Sequence, residues 1–161
     1  MFTDDSYQSV ASMAITKVDY QAAFVSYEEA LAANPNSALL WYQRGDALAQ
    51  LQRYEEALAS FDRAIAYQPD YVAAWTFRAV ILIYMGRYAE ALSSCEQAVA
   101  LQPDDREAWI FRGVALHRLG DYRHAYLSYE QALRDGTTTV PAQEQRSWLT
   151  QWLPWLDKKA G

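Results

Sequence analysis

Three tryptophans, Trp41, Trp75 and Trp109, stand 34 residues apart, and the chain around them keeps the same step. Arg44, Arg78 and Arg112 follow each Trp by three residues, Gly45, Ala79 and Gly113 by four, and Leu48, Leu82 and Leu116 by seven. Tyr54, Tyr88 and Tyr122 recur next, then Ala57, Ala91 and Ala125, then Phe61, Cys95 and Tyr129, and finally Ala64, Ala98 and Ala132. Pro69 and Pro103 close two of the units, and Tyr20, Ala23, Tyr27, Ala30 and Pro35 match the later half one step earlier. A fixed period of this length marks supersecondary units that bury their apolar faces only by stacking on their neighbours.

Each unit reads as two helices. At about 100° per residue Trp41, Gly45 and Leu48 share one narrow face, and Tyr54, Ala57, Phe61 and Ala64 share another. Gly45 and Ala57 lack bulk, so the two backbones approach closely where the helices cross. Leu51-Gln-Arg53, Met85-Gly-Arg87 and Leu119-Gly-Asp121 lie between the helices, and Gly86 and Gly120 suit a turn with a left-handed residue. Pro69 and Pro103 end the second helices, and Asp70 and Asp104 are expected to cap the helices that follow. The fold class is all-α.

The 34-residue step with Trp, Gly, Ala, an aromatic and Pro resembles the tetratricopeptide repeat (TPR) family, whose pattern is W-x2-L-G-x2-Y, A-x3-F, P. The likeness covers about 4–139 as four repeats, 4–37, 38–71, 72–105 and 106–139. Tyr7 and Ala11 replace Trp and Gly in the first, and Cys95 replaces an aromatic in the third. The resemblance implies a TPR-type α-solenoid of antiparallel helix hairpins. Residues 140–161 do not continue the pattern. Trp148, Leu149, Trp152 and Leu153 make a helical stripe ahead of Pro154, which reads as a C-terminal capping helix with a short tail.

The family binds extended or helical peptides on the concave face of its first helices. By angle from each Trp, the residues expected there are Tyr42, Gln43 and Asp46, then Thr76, Phe77, Val80, Ile83 and Tyr84, then Ile110, Phe111, Val114 and Arg118. The first unit would add Asp5, Gln8, Ser9 and Ser12. The middle of this set is apolar and aromatic, which suits an apolar peptide or an amphipathic helix from a partner protein. A homo-oligomer, packed through the groove or through the Trp-rich end, is the second reading; a membrane-associated assembly factor is a weaker third. Some members hold the C-terminal carboxylate of heat-shock chaperones with a Lys/Asn/Lys/Arg clamp. The matching positions here are Gln8, Ser12, Gln43, Ala73 and Phe77, or one unit later Tyr42, Asp46, Phe77, Glu107 and Phe111. Neither register is basic, so a chaperone-tail adaptor is disfavoured.

Composition narrows the remaining classes. With 14 Lys+Arg against 20 Asp+Glu the chain carries −6, which repels phosphate backbones and argues against nucleic acid. The lone Cys95 excludes a disulfide framework and reads as a small buried hydrophobe. His117 and His124 straddle the Gly120 turn, and no HExxH, P-loop, G-x-S-x-G or G-x-G-x-x-G is present, so no metal, cofactor or catalytic set is expected. Acids follow Met1 where a secretory leader would be basic, and no apolar run nears the roughly 18 residues of a membrane span. The expectation is a soluble, cytoplasmic, non-catalytic scaffold. Arg44, Arg78 and Arg112 keep step with Glu28, Asp62, Glu96 and Glu130, so a ladder of arginine–carboxylate pairs between neighbouring helices is expected in preference to an anion-binding row.

Overall fold

The computed structural model describes residues 4–134, with side chains from residue 19 onward. Residues 140–161, with Trp148, Trp152 and Trp155, lie outside the described residues, as do the side chains of Asp5, Tyr7, Gln8, Ser9, Ala11 and Ser12. The described chain is helical throughout: α1 (Asp4–Ala33), α2 (Ala38–Gln50), α3 (Tyr54–Tyr67), α4 (Val72–Tyr84), α5 (Tyr88–Leu101), α6 (Arg106–Leu119) and α7 (Tyr122–Leu133). Each helix packs on the next, which makes α2–α3, α4–α5 and α6–α7 antiparallel hairpins. The first helices also touch one another, α2 on α4 and α4 on α6. They form an inner row, and α3, α5 and α7 form an outer one. The molecule is an all-α helical repeat solenoid.

The turns follow from backbone chemistry. Gly86 and Gly120 have φ of 75° and 88°, and Gln52 adopts φ 60° at the same register without being glycine. Each turn is closed by the same bond, from Arg53 N to Leu48 O, Arg87 N to Leu82 O and Asp121 N to Leu116 O, at 2.8–3.0 Å. Val18 occupies that register one unit earlier. A β-branched residue resists positive φ, and α1 runs through it without a break from Asp4 to Ala33. The hairpin expected over 4–37 is therefore replaced by one long helix.

Helix starts also differ in detail from the expectation. The N-caps are Ser37, Tyr71 and Asp105, again 34 residues apart. Ser37 accepts from Leu40 N, and Asp105 accepts from Glu107 N and Ala108 N at 3.0 and 3.2 Å. Asp70 and Asp104 stand one residue too early, and Tyr71 makes no side-chain cap. Its ring packs on Tyr42 instead, with centroids 5.1 Å apart.

The core runs along the hairpin crossings through Leu48, Ala57, Phe61, Leu82, Ala91 and Cys95, all of them buried. A Cβ on Gly113 would stand 2.5 Å from the Tyr129 ring, so the small residue at that crossing is obligatory. Each repeat tryptophan is half-buried and donates its indole N–H to a proline carbonyl six residues back: Trp41 to Pro35, Trp75 to Pro69 and Trp109 to Pro103, at 2.7–2.9 Å.

The arginine ladder is present. Arg44 pairs with Glu28, Arg78 with Asp62 at 2.7 Å, and Arg112 with Glu96 at 3.5 Å. A second partner was not legible beforehand. Arg44, Arg78 and Arg112 also donate to Ser60, Ser94 and Ser128 at 2.6–2.7 Å. These serines are fully buried, and each donates its own hydroxyl hydrogen bond to the carbonyl four residues back. Arg78 and Arg112 thus tie the outer helix before them to the outer helix of their own hairpin, and Arg44 ties α1 to α3.

Candidate binding surface

The inner row presents the residues expected to bind, although not all of them face outward. Tyr42 on α2 and Phe77 on α4 meet edge to face with centroids 5.6 Å apart. Phe61 lies 5.8 Å from Tyr42 and 6.4 Å from Phe77, so this aromatic group is continuous with the core. Ile83 and Phe111 are half-buried and pack on the same core cluster, while Gln43, Asp46 and Val80 are half-buried beside them. Tyr84 stands at the rim, 67% exposed, with its ring stacked 5.9 Å from Tyr54 and nearly parallel to it.

Three expected residues offer no open surface. Thr76 is 2% exposed, Ile110 7% and Val114 0%. The helical wheel gives an angle about one helix axis and is blind to what lies against that helix. The Thr76 hydroxyl donates to the Asp105 carboxylate at 3.4 Å, a contact between α4 and the start of α6. Arg118, at the far end of α6, lies over the Tyr88 ring at 5.8 Å, away from the Tyr42 group. The accessible strip is therefore narrower than the sequence implied and centres on α2 and α4.

Its charge is negative on the Tyr42 side. Burial first, then the fields of Asp46, Tyr71 and Glu107, push the Tyr42 hydroxyl up to about 12. A phenol there stays protonated and is a donor at neutral pH. Two residues that shape the strip escaped the sequence reading. Tyr71 shares its register with Ser37 and Asp105, so nothing periodic marks it; Tyr54 was assigned only to the hairpin interior.

Two shallow clefts of about 240 and 220 Å3 lie along α6 and α7 and share Trp109, Gln131 and Arg134 in their walls. Among the described residues no group of three His, Cys, Asp or Glu side chains is placed to hold a metal ion. Burial pushes the Cys95 thiol up to about 12, which disarms it as a nucleophile. Among the described residues, no helix is long and apolar enough to cross a membrane.

Family models described as tetratricopeptide repeat match residues 15–81 and 78–139. The chain belongs to the tetratricopeptide repeat family. Solved TPR structures agree with the fold. The second TPR of Spaghetti (RPAP3) bound to HSP90 peptide SRMEEVD is 28% identical, with a TM-score of 0.60 over 63% of this chain and 94% of that one. The first TPR of the same protein, bound to the same peptide, is 25% identical, with a TM-score of 0.63 over 73% of this chain and 94% of that one. A MamA double mutant is 22% identical with a TM-score of 0.69, over 83% of this chain and 76% of that one, a likeness of fold alone. No curated protein matches the chain in sequence. TPR repeats are, in general, non-catalytic protein-interaction modules, and the fold of this chain supports a protein-interaction scaffold.

Proposed function

We propose that this TPR protein holds an apolar or amphipathic segment of a partner protein along the α2–α4 strip, without catalysis. The observation that carries this reading is Tyr84, a large aromatic left 67% exposed at the edge of a half-buried apolar floor made by Phe77, Val80 and Ile83. Aromatic anchors beside a partly dry floor are where peptide binding energy concentrates. Asp46 and Glu107 add negative charge near Tyr42, so the preferred segment carries a basic residue at that end.

The peptide seen on the Spaghetti (RPAP3) domains, SRMEEVD, is mostly acidic towards its C-terminus. Here the corresponding face offers Asp46, Glu107, Tyr42 and Phe77 in place of basic groups, which supports a different ligand class.

Panning a displayed peptide library against the full chain tests the reading. Enriched peptides are expected to be apolar with a basic residue, and to lose at least tenfold in affinity against a Val80→Asp, Tyr84→Ala double variant. Phe77 and Phe111 are unsuitable for this purpose because both pack on the core. Synthetic SRMEEVD is expected not to bind. Selected peptides that bind the double variant as well as the parent would overturn the assignment.

A further inference from the structure

A stripe of small and aromatic residues that the later hairpins cover is left open on α1. On α3 this stripe is Ala57, Ser60, Phe61 and Ala64, fully buried under the inner helix of its own hairpin, and the same register on α5 is buried too. One unit earlier α1 carries it as Ala23, Ser26, Tyr27 and Ala30. There Ser26 is exposed and the other three are only half-buried. Ser26 still donates to the carbonyl four residues back, Ala22 O at 3.1 Å, as its buried counterparts do. The register of their arginine is held by Val10.

In other respects this half of α1 is docked as an outer helix. Glu28 pairs with Arg44 as Asp62 does with Arg78, and Arg53 lies over the Phe24 ring at 4.8 Å. What it lacks is an inner helix of its own. With 30 residues against 13 in α2, α1 runs on past that neighbour by about 25 Å. Residues 4–17, in this extension, keep the inner-helix register, with Tyr7 and Ala11 at the Trp and Gly places. Two features keep them from folding back on their own chain. Val18 resists the left-handed turn. A hairpin closed there would also set Ala11 against Tyr27, by the spacing of sixteen that sets Gly45 against Phe61. The later units match a ring with glycine, or Ala79 with Cys95, and never a ring with a Cβ.

We propose that a second copy of this chain covers the stripe. Two α1 helices pack antiparallel about a two-fold axis, and each lays residues 4–17 over Ala23, Ser26, Tyr27 and Ala30 of the other. Between chains no turn fixes the register, so the helix is free to slide clear of the Tyr27 ring. Charge favours the pairing. The alignment brings Lys17 of each copy beside Asp19 of the other, and it sets Glu28 and Glu29 against the uncharged stretch around Ser9 and Val10. The contact is self-complementary and closes as a dimer, an exchange of equivalent elements between protomers. It uses α1 and is independent of the α2–α4 strip.

Light scattering of the full chain over a wide concentration range tests this, and the mass is expected to double as concentration rises. A monomer up to hundreds of micromolar would overturn the dimer. Combining Val18→Gly with Ala11→Gly supplies the glycines that the later turns and crossings use, so this variant is expected to be monomeric with little loss of helix by circular dichroism. A variant that still dimerises would overturn the role of α1. The arrangement is read by placing Val10→Cys and Ser26→Cys in separate chains of different mass, refolding them together and adding a short bismaleimide. Cys95 is buried and should not react. A linked product of the two different chains is expected, at least tenfold above that from either variant alone, whose equivalent cysteines stand about 24 Å apart in antiparallel helices. Equal yields would overturn the antiparallel pairing. A chain carrying both cysteines that links internally as a monomer would assign the stripe to its own N-terminal half and overturn the exchange.

Discussion

The Phe61 ring lies directly over Gly45, so that a Cβ on the glycine would stand 2.8 Å from the nearest ring carbon. Gly45→Ala is therefore expected to destabilise the protein. Overpacking a fully buried ring costs about 1–3 kcal/mol, and the better helix propensity of alanine offsets about 1 kcal/mol of it. The urea midpoint of Gly45→Ala measures the balance, and a second change, Phe61→Leu, should recover part of the loss.

The third unit of the repeat makes the complementary choice, with Ala79 for glycine and Cys95 for the aromatic. Cys95→Phe alone should cost about 1–3 kcal/mol as overpacking. Combined with Ala79→Gly the loss should shrink, a coupling visible in a double-mutant cycle. Equal losses with and without Ala79→Gly would show that the two side chains do not share that space.

Cys95 is buried, and its thiol is raised to about 12 by that burial. The native protein should resist an aromatic disulfide reagent at pH 8 and react fully in denaturant. The native labelling rate should follow the opening of the array rather than the pH of the buffer.

Two of the three turns place glycine at the left-handed residue, and the first places Gln52 there. Gly86→Ala and Gly120→Ala meet open space, so their cost is backbone strain alone, about 1–2 kcal/mol each. Gln52→Gly relieves the same strain at φ 60° but frees the unfolded chain, which leaves a gain of up to about 1 kcal/mol. Thermal melts of the three variants should move in opposite directions.

Three exposed carboxyls are held below their ordinary values: Glu56 by Arg53, Glu90 by Arg87, and Asp121 chiefly by the His124 backbone N–H it caps. A carboxyl lowered in the folded state stabilises it above the unfolded value and ceases to do so as pH falls through the folded value. Stability should therefore decline as pH drops below about 4.5. In Glu56→Gln combined with Glu90→Gln the acid slope of the urea midpoint should flatten.

Much of this architecture could be read from spacing, because the repeat registers of Trp41, Gly45 and Phe61 encode helix crossings directly. The arginine ladder was legible for the same reason, since Arg44 and Glu28 recur together. Its buried serines passed unnoticed, as serine in a helix carries no signal until something is seen to bind it. The surface was harder. Thr76 and Phe77 both fall within the arc assigned to the concave side, yet one is consumed at the α4–α6 junction and the other lines the strip. The cap positions Ser37, Tyr71 and Asp105 also escaped, because three different side chains fill one structural place. The uninterrupted α1 turned on one residue type, Val18, at a register where the later units place Gln or Gly.

Each ladder arginine reaches sixteen residues backward and sixteen forward. Such a scheme has no privileged end and no unique centre, so it is indifferent to how many modules lie between its termini. A duplication or excision of 34 residues would rejoin every rung to an equivalent neighbour, whereas one of 33 or 35 would leave a guanidinium facing the wrong side chain. The chain is built to lengthen or shorten only in whole modules.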